Sequence, residues 1–345
     1  MARADGVTVV VTVLNDRRVR RTLLSLLAQT RPPTEILVAD GGSRDGTVEV
    51  VEELSKADGR IRLLRAPGTI AESRNAALDV AQGRYIAFLD ADEVAPPSWL
   101  EALLRPFQEP KVGFTGGPTP ALPGTTPSLG ARYYDAYLRR FYDTVARAHP
   151  HALPMGNSAW RREVFEQVGR LDTTLDPRAS SEDQDFALRA LHAGWTGIYA
   201  PEARVDHDYT GLTLRSLLRK QAAYAQGGYV VWRRSGSTYE ASGGRLLPYL
   251  LPPFLALLGG VLWLALPGAR YWGAGLALLG GLLFLALVLV LTYQGLREER
   301  RYPGWKLRPL EILRRWATAW GALRGFARYG WSGRRNLPAS PPRNT

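Results

Sequence analysis

Two uncharged apolar runs near the C-terminus constrain this chain more than any other feature. Leu246–Pro267 and Tyr271–Tyr293 are built of Leu, Ala, Gly and aromatic residues, and only Gly268-Ala269-Arg270 separates them. Each is long enough to cross a bilayer core, which takes about 20 residues. The pair therefore predicts a transmembrane helical hairpin over 246–293; the competing arrangement is a buried helical pair in a soluble domain. Tyr249, Trp263, Tyr271, Trp272 and Tyr293 gather toward the run ends, as interfacial aromatic belts do. Arg233, Arg234 and Arg245 precede the first run, and Arg297, Arg300, Arg301, Lys306 and Arg308 follow the second, whereas the turn holds only Arg270. By the positive-inside rule both termini are expected in the cytoplasm, with the chain in the cell (inner) membrane.

Charge position then decides what the basic composition means. The 345 residues carry 44 Lys plus Arg against 32 Asp plus Glu, a net of +12 that invites a nucleic-acid reading. From Gln294 onward there are 12 basic residues against Glu298, Glu299 and Glu311, so +9 of that charge lies in the last 52 residues, beside the apolar runs. Membrane lipids, not nucleic acid, are the expected partner. Within Pro309–Gly330, Leu310, Ile312, Leu313, Trp316, Trp320, Leu323 and Phe326 recur at helical spacing among Arg314, Arg315, Arg324 and Arg328. Residues 294–330 are accordingly expected to form a basic amphipathic segment in the lipid headgroup layer; the alternative is a basic helix packed on the globular domain. The Pro- and Ser-containing tail 331–345 reads as disordered. Cysteine is absent, which removes disulfides, a thiolate nucleophile and cysteine metal sites.

The N-terminal part alternates strands and helices. Val7–Leu14 is a β-branched run too short for a secretory signal, and reads as a buried strand. Helical spacing through Val19, Leu23, Leu26 and Leu27 leads to a second strand at Ile36–Ala39, then Val48, Val51 and Leu54 space a helix. A third strand at Ile61–Leu64, a helix over Ala71–Ala81 and a fourth strand at Tyr85–Leu89 follow. This order implies a mostly parallel sheet covered by helices, whose ligands bind beyond the carboxyl ends of the strands.

The polar residues at those ends are the candidate site. Strand four runs into Asp90-Ala91-Asp92-Glu93, where two carboxylates flanking one small residue can hold a hard divalent cation, Mn2+ or Mg2+, and reach a ribose hydroxyl. Strand two runs into Asp40-Gly41-Gly42-Ser43, where glycine admits a flat ligand, although a plain Asx turn explains the same residues. Arg74 and Asn75 lie early in the helix before strand four, where a guanidinium can meet phosphate oxygens or simply be a surface charge. Ser180-Ser181-Glu182-Asp183 precedes Phe186, Leu188, Ala190 and Leu191, so Ser180 and Asp183 match a helix capping box; equally, Asp183 can act as a base toward an acceptor hydroxyl. His207 is a third metal ligand, a phosphate contact or an ordinary hydrogen-bonded histidine. The Gly-, Pro- and Thr-rich stretch Gly113–Pro127 is expected to be a mobile loop on the acceptor side.

These motifs in order resemble inverting family 2 glycosyltransferases. The resemblance runs from about Val7 to Arg234 and rests on Val38-Ala39-Asp40-Gly41-Gly42-Ser43, Ser73-Arg74-Asn75-Ala76-Ala77, Phe88-Leu89-Asp90-Ala91-Asp92-Glu93, Met155-Gly156-Asn157-Ser158-Ala159-Trp160 and Glu182-Asp183-Gln184-Asp185. It implies an α/β GT-A domain over 1–240, a Rossmann-like mixed sheet with helices on both faces, ahead of the hairpin and the amphipathic helix. It further implies that Thr12 and Asp40 hold the nucleotide base, Arg74 the nucleotide or diphosphate, Asp90 the ribose or metal, and Asp92 the metal, with Asp183 the catalytic base. The implied reaction moves one sugar from a nucleotide-diphosphate sugar to a lipid or lipid-linked hydroxyl or phosphate. Two departures stand out. The family's usual Pro and Asn-Glu at the first strand's exit are replaced by Leu14-Asn15-Asp16, and the Gln-x-x-Arg-Trp of processive synthases is missing at Gln221-Ala222-Ala223-Tyr224. A polysaccharide-extending synthase and a silent nucleotide-sugar-binding protein remain as alternatives.

Overall fold

The computed structural model describes residues 3–175, 181–236 and 246–330. Ser180, Arg245 and the segment 331–345, which the sequence reads as a cap, a flanking charge and a disordered tail, lie outside the described residues. The chain divides into two compact units. One comprises the chain up to Thr126 together with Leu138–Thr210, and the other comprises Pro127–Tyr137 with the residues from Gly211 onward. The helix after Thr210 belongs to the second unit.

In the first unit the expected alternation is present: β1 (Arg3–Val13), α1 (Val19–Leu27), β2 (Glu35–Asp40), α2 (Thr47–Ala57), β3 (Ile61–Arg65), α3 (Ile70–Val80) and β4 (Gly83–Asp90). Then come β5 (Glu93–Val94), α4 (Trp99–Leu104), β6 (Val112–Gly116), α5 (Leu129–Thr144), whose residues up to Tyr137 count with the second unit, β7 (Asn157–Arg161), α6 (Arg162–Val168), α7 (Glu182–His192), β8 (Thr196–Tyr199) and β9 (Asp206–His207). Seven strands form one sheet in the order β3-β2-β1-β4-β7-β6-β8. β1 to β4 run parallel, β7 is antiparallel to β4 and β6, and β8 is parallel to β6. The sheet is therefore mixed, with helices on both faces. Side-chain alternation along β1 shows why: Val9 and Val11 join Leu23 and Leu26 of α1 in one core, while Val10 joins Leu78 of α3 in the other. One consequence matters for the site: β1 to β4, β6 and β8 all finish at the edge where β7 begins.

Residues 113–125 are not the free loop their composition suggests. Residues 113–116 belong to β6, Ala121 bridges to His207, and the Leu122 amide donates to the His207 carbonyl at 2.8 Å. Thr119 and Tyr142 share a buried hydroxyl contact at 2.8 Å. The backbone is satisfied by partners far along the sequence, which local composition does not encode.

The second unit contains α8 (Leu214–Ser235), α9 (Leu247–Ala265), α10 (Arg270–Glu298) and α11 (Glu311–Tyr329). Leu247–Ala265 and Pro267–Glu298 are long and apolar enough to cross a membrane, and only 11% of either apolar stretch is buried, where a core helix would be covered. α9 and α10 meet at Gly259, Gly273 and Gly280, where an added Cβ would strike the backbone of the facing helix at Ala277, Trp263 and Ala256.

α11 corrects the expected amphipathic pattern. It packs on α8 through its small residues: a side chain at Gly321 would collide with Ala222, and one at Gly325 with Gln226 and Tyr229. Arg314, expected on the outer basic face, is 1% exposed. It donates to Glu311 at 2.7 and 3.0 Å and to Gln221 Oε1 at 2.9 Å, and lies 4.3 Å from the Tyr137 ring centre. Tyr133 also donates to Glu311. Trp316, Trp320, Leu323 and Phe326 face outward, as a helix in the headgroup layer requires. The Trp316 indole donates to the Tyr249 carbonyl at the start of α9, at 2.9 Å.

Candidate active site

The sheet's carboxyl edge carries Thr12, Asp40, Arg65 and Asp90 at the ends of β1, β2, β3 and β4. Thr12 is half-buried and in register with Ala39 and Asp90. Asp40 is 1% exposed and accepts the amides of Gly42 (3.3 Å) and Ser43 (3.1 Å), so it closes the Asx turn that was the plainer reading of the sequence. Arg65 Nη1 also reaches it, at 3.4 Å.

Arg74 is buried, its side chain 4% exposed, and does not stand open to the cleft. Nη1 lies 3.2 Å from Glu182 Oε1 and Nη2 lies 3.3 Å from Asp90 Oδ1, while its Nε is buried without a partner. The guanidinium thus joins the end of β4 to the first residue of α7. Glu182 was legible only as a neighbour of Asp183; what identifies its role is a partner 108 residues away. Burial raises the Glu182 carboxyl above its ordinary range, and the adjacent Asp183 adds to this, against the opposing pull of Arg74.

Asp183 stands in the first turn of α7. Its carboxylate accepts the Gln184 amide at 2.7 Å and also the Met155 amide. Loss of hydration raises its proton affinity; Arg74 and the two amides hold it down, and Asp90 pushes it up. Ser181 is the N-cap. It adopts a left-handed backbone with φ 119°, and its side chain makes no cap hydrogen bond. Such strain in a non-glycine residue concentrates at functional sites. Gly156 sits against Asp90: a Cβ there would overlap the Asp90 carboxylate, so the close approach requires glycine.

The second half of the Asp-x-Asp turn meets a different partner. β5 pairs with β9 so that Glu93 faces His207. His207 Nε2 lies 3.1 Å from Asp92 Oδ2, and Nδ1 lies 3.3 Å from Glu93 Oε1. The ring stacks on Tyr209, with centroids 4.4 Å apart. Burial by itself would lower the His207 pKa, but Asp92 and Glu93 outweigh it and raise it to about 10. Burial pushes the Glu93 carboxyl up to about 7 against the pull of His207. Arg18 closes the cluster, with Nη2 3.4 Å from Asp92 Oδ2 and Nη1 3.0 Å from the Asp208 carbonyl.

Among the described residues no group of three or more His, Asp or Glu side chains is arranged to hold a metal ion. Asp90 is engaged by Arg74. Asp92 Oδ2 and His207 Nε2 bring one hard oxygen and one imidazole nitrogen together, donor types that suit Mg2+ or Mn2+. A cation held by this pair would require Nε2 without its proton, and Glu93 would support His207 through Nδ1.

Comparison with known proteins fits this geometry. Residues 8–169 match the family described as Glycosyl transferase family 2. The glycosyltransferase AglE of Haloferax volcanii is 28% identical over 239 residues, covering 66% of this chain and 74% of that protein. An uncharacterized glycosyltransferase of Haemophilus influenzae is 35% identical over 107 residues, and there the match spans only 33% of the relative's length. Among solved structures, the mannosyltransferase PcManGT of Pyrobaculum calidifontis, solved with GDP-Man and Mn2+, aligns over 93% of this chain and 89% of its own with a TM-score of 0.61 at 20% identity. That likeness shows a common GT-A-type fold.

Proposed function

We propose that this chain, a family 2 glycosyltransferase through residues 8–169, transfers one sugar from a nucleoside-diphosphate sugar to a hydroxyl or phosphate of a lipid or lipid-linked acceptor at the cytoplasmic face of a membrane. The observation that carries this reading is Arg74, which links the donor-edge carboxylate Asp90 to the helix bearing Asp183. One edge of the sheet thus brings a leaving-group site and a base within a single hydrogen-bonded frame.

In the proposed reaction the acceptor oxygen attacks the anomeric carbon from the face opposite the diphosphate. The new glycosidic bond forms as the bond to the diphosphate breaks, and the acceptor proton passes to an Asp183 oxygen. A carboxylate whose proton affinity is raised by restricted hydration is better matched to that transfer than a free one. Asp92 and His207 would hold Mn2+ or Mg2+, which supplies charge stabilisation to the departing diphosphate. Thr12 and Asp40 border the nucleoside. The GDP-Man and Mn2+ bound by the solved neighbour make that sugar nucleotide and that ion the first to try here. Membrane anchoring is supported by the two apolar helices and by the outward aromatic residues of α11 in the same unit.

The test is nucleoside diphosphate release by the detergent-solubilised chain with Mn2+ and a panel of sugar nucleotides, with and without a bacterial lipid extract, and with Asp183→Asn as control. Release that needs lipid and is lost in the variant supports the reading. Metal-dependent nucleotide binding without release from any donor would favour a silent binding protein.

A further inference from the structure

We propose that Arg65 reads the nucleobase of the donor, selecting a base whose facing edge carries only hydrogen-bond acceptors and rejecting one that presents an exocyclic amine. The inference rests on the donor reading above. It begins from the state of Asp40, which is nearly sealed from solvent and already accepts two backbone amides and an arginine. What this corner of the edge presents to a ligand is therefore the arginine. Arg65 is in register with Asp40 at the end of the neighbouring strand, and its side chain is 55% exposed.

The guanidinium is held at two points. Nη1 lies 3.4 Å from Asp40 Oδ2 and Nη2 lies 3.5 Å from Glu52 Oε1. Of its five N–H donors this leaves others free, and an arginine has no acceptor to offer. The two carboxylates orient the fork before any ligand arrives, which lowers the cost of binding. The turn after Asp40 is lined by apolar side chains: Leu14, 56% exposed, sits 3.6 Å from the Cβ position of Gly41, and Pro67 lies 3.8 Å from that of Gly42. Gly42 has φ 107°, which favours a residue without a side chain there.

The chemistry of bases then discriminates. Guanine offers O6 and N7, two acceptors that an arginine fork engages bidentately, and uracil offers the O4 carbonyl. Adenine and cytosine each place an amino group where these carbonyls stand, so donor meets donor and the guanidinium N–H that faces the base finds no acceptor there. The shared chemistry is a carbonyl-bearing edge; guanine and uracil are its two sources.

The experiment is calorimetric binding of GDP, UDP, ADP and CDP to the detergent-solubilised full chain with Mn2+, for the parent, Arg65→Ala and Arg65→Lys. The parent should bind GDP or UDP about ten-fold or more tighter than ADP and CDP, and Arg65→Ala should erase that margin while ADP and CDP keep their affinity. Arg65→Lys, which keeps a donor but not the fork, should retain part of the margin. Preference for GDP assigns the O6/N7 pair, and preference for UDP assigns O4. Equal binding of all four by the parent, an unchanged margin in Arg65→Ala, or a loss that strikes all four alike would overturn the inference while leaving the donor reading standing. No binding of any nucleotide would overturn both.

Discussion

Arg74 Nη1 lies 3.2 Å from Glu182 Oε1, so the first residue of the helix bearing Asp183 is fixed by an arginine of α3, a helix that shares one hydrophobic core with it. Glu182→Gln keeps the shape but weakens that tie. A roughly ten-fold fall in kcat with donor KM nearly unchanged is expected, because the interaction acts on the position of Asp183 and not on the nucleotide. Equal changes in kcat and donor KM would show that Glu182 serves binding. Asp183→Asn itself should cost about 10²- to 10⁴-fold in kcat, the usual range for a lost general base, measured as diphosphate release under saturating donor.

Glu93 touches His207 but not the expected cation. Glu93→Gln should weaken Mn2+ binding roughly 10- to 100-fold without abolishing it, as loss of a supporting partner does. His207→Ala and Asp92→Asn should each weaken it further. Manganese titration followed by electron paramagnetic resonance separates the three, and an unchanged Mn2+ affinity in Asp92→Asn would remove the metal role.

Gly156→Ala forces a methyl group into the Asp90 carboxylate. The short Asp90 side chain has little room to retreat without leaving Arg74, so stability should fall by about 1–3 kcal/mol, as in other overpacked sites, and donor affinity should fall with it. Thermal melting and nucleotide titration on the same preparation check both.

Glu311 and Arg314 form a buried pair in the second unit, and Arg314→Met removes the doubly bonded partner of the carboxylate while Arg315 and Tyr133 still donate to it. That should cost about 1–3 kcal/mol, whereas Glu311→Leu combined with Arg314→Met should recover much of it. The Glu311 carboxyl is held down at about 2, from an ordinary 4.5, because Arg314, Arg315 and the Tyr133 hydroxyl outweigh its burial. A folded-state value below the unfolded one stabilises above the unfolded pKa. The contribution is therefore complete above about pH 4.5 and disappears as pH falls toward 2. Melting temperatures across that window should fall for the parent, and fall less for the double variant.

The strand ends were readable because hydrophobic runs stop abruptly at Asp40 and Asp90, and the sheet order places both on one edge. Pairing between distant residues was not. Asp92 and His207 are 115 residues apart, and only the antiparallel β5–β9 contact brings them together. From the sequence Arg74 was open to two readings, a phosphate contact or a surface charge; in the structure it is buried and engages the half-buried Asp90 and the buried Glu182. In α11 the outward stripe of Trp316, Trp320 and Leu323 follows the periodicity of the sequence, whereas the burial of Arg314 does not. A stripe of glycines on the opposite side lets α8 approach closely, and the neighbour, not the pattern, decided which stripe turned inward.

The glycine contacts between α9 and α10 have a mechanical consequence. Where two backbones touch at three levels, the hairpin has no bore, and a growing glycan has nowhere to thread between its own two helices. On the proposed membrane reading the pair serves as a peg, and a passage through the bilayer would have to be assembled from something more than this one hairpin.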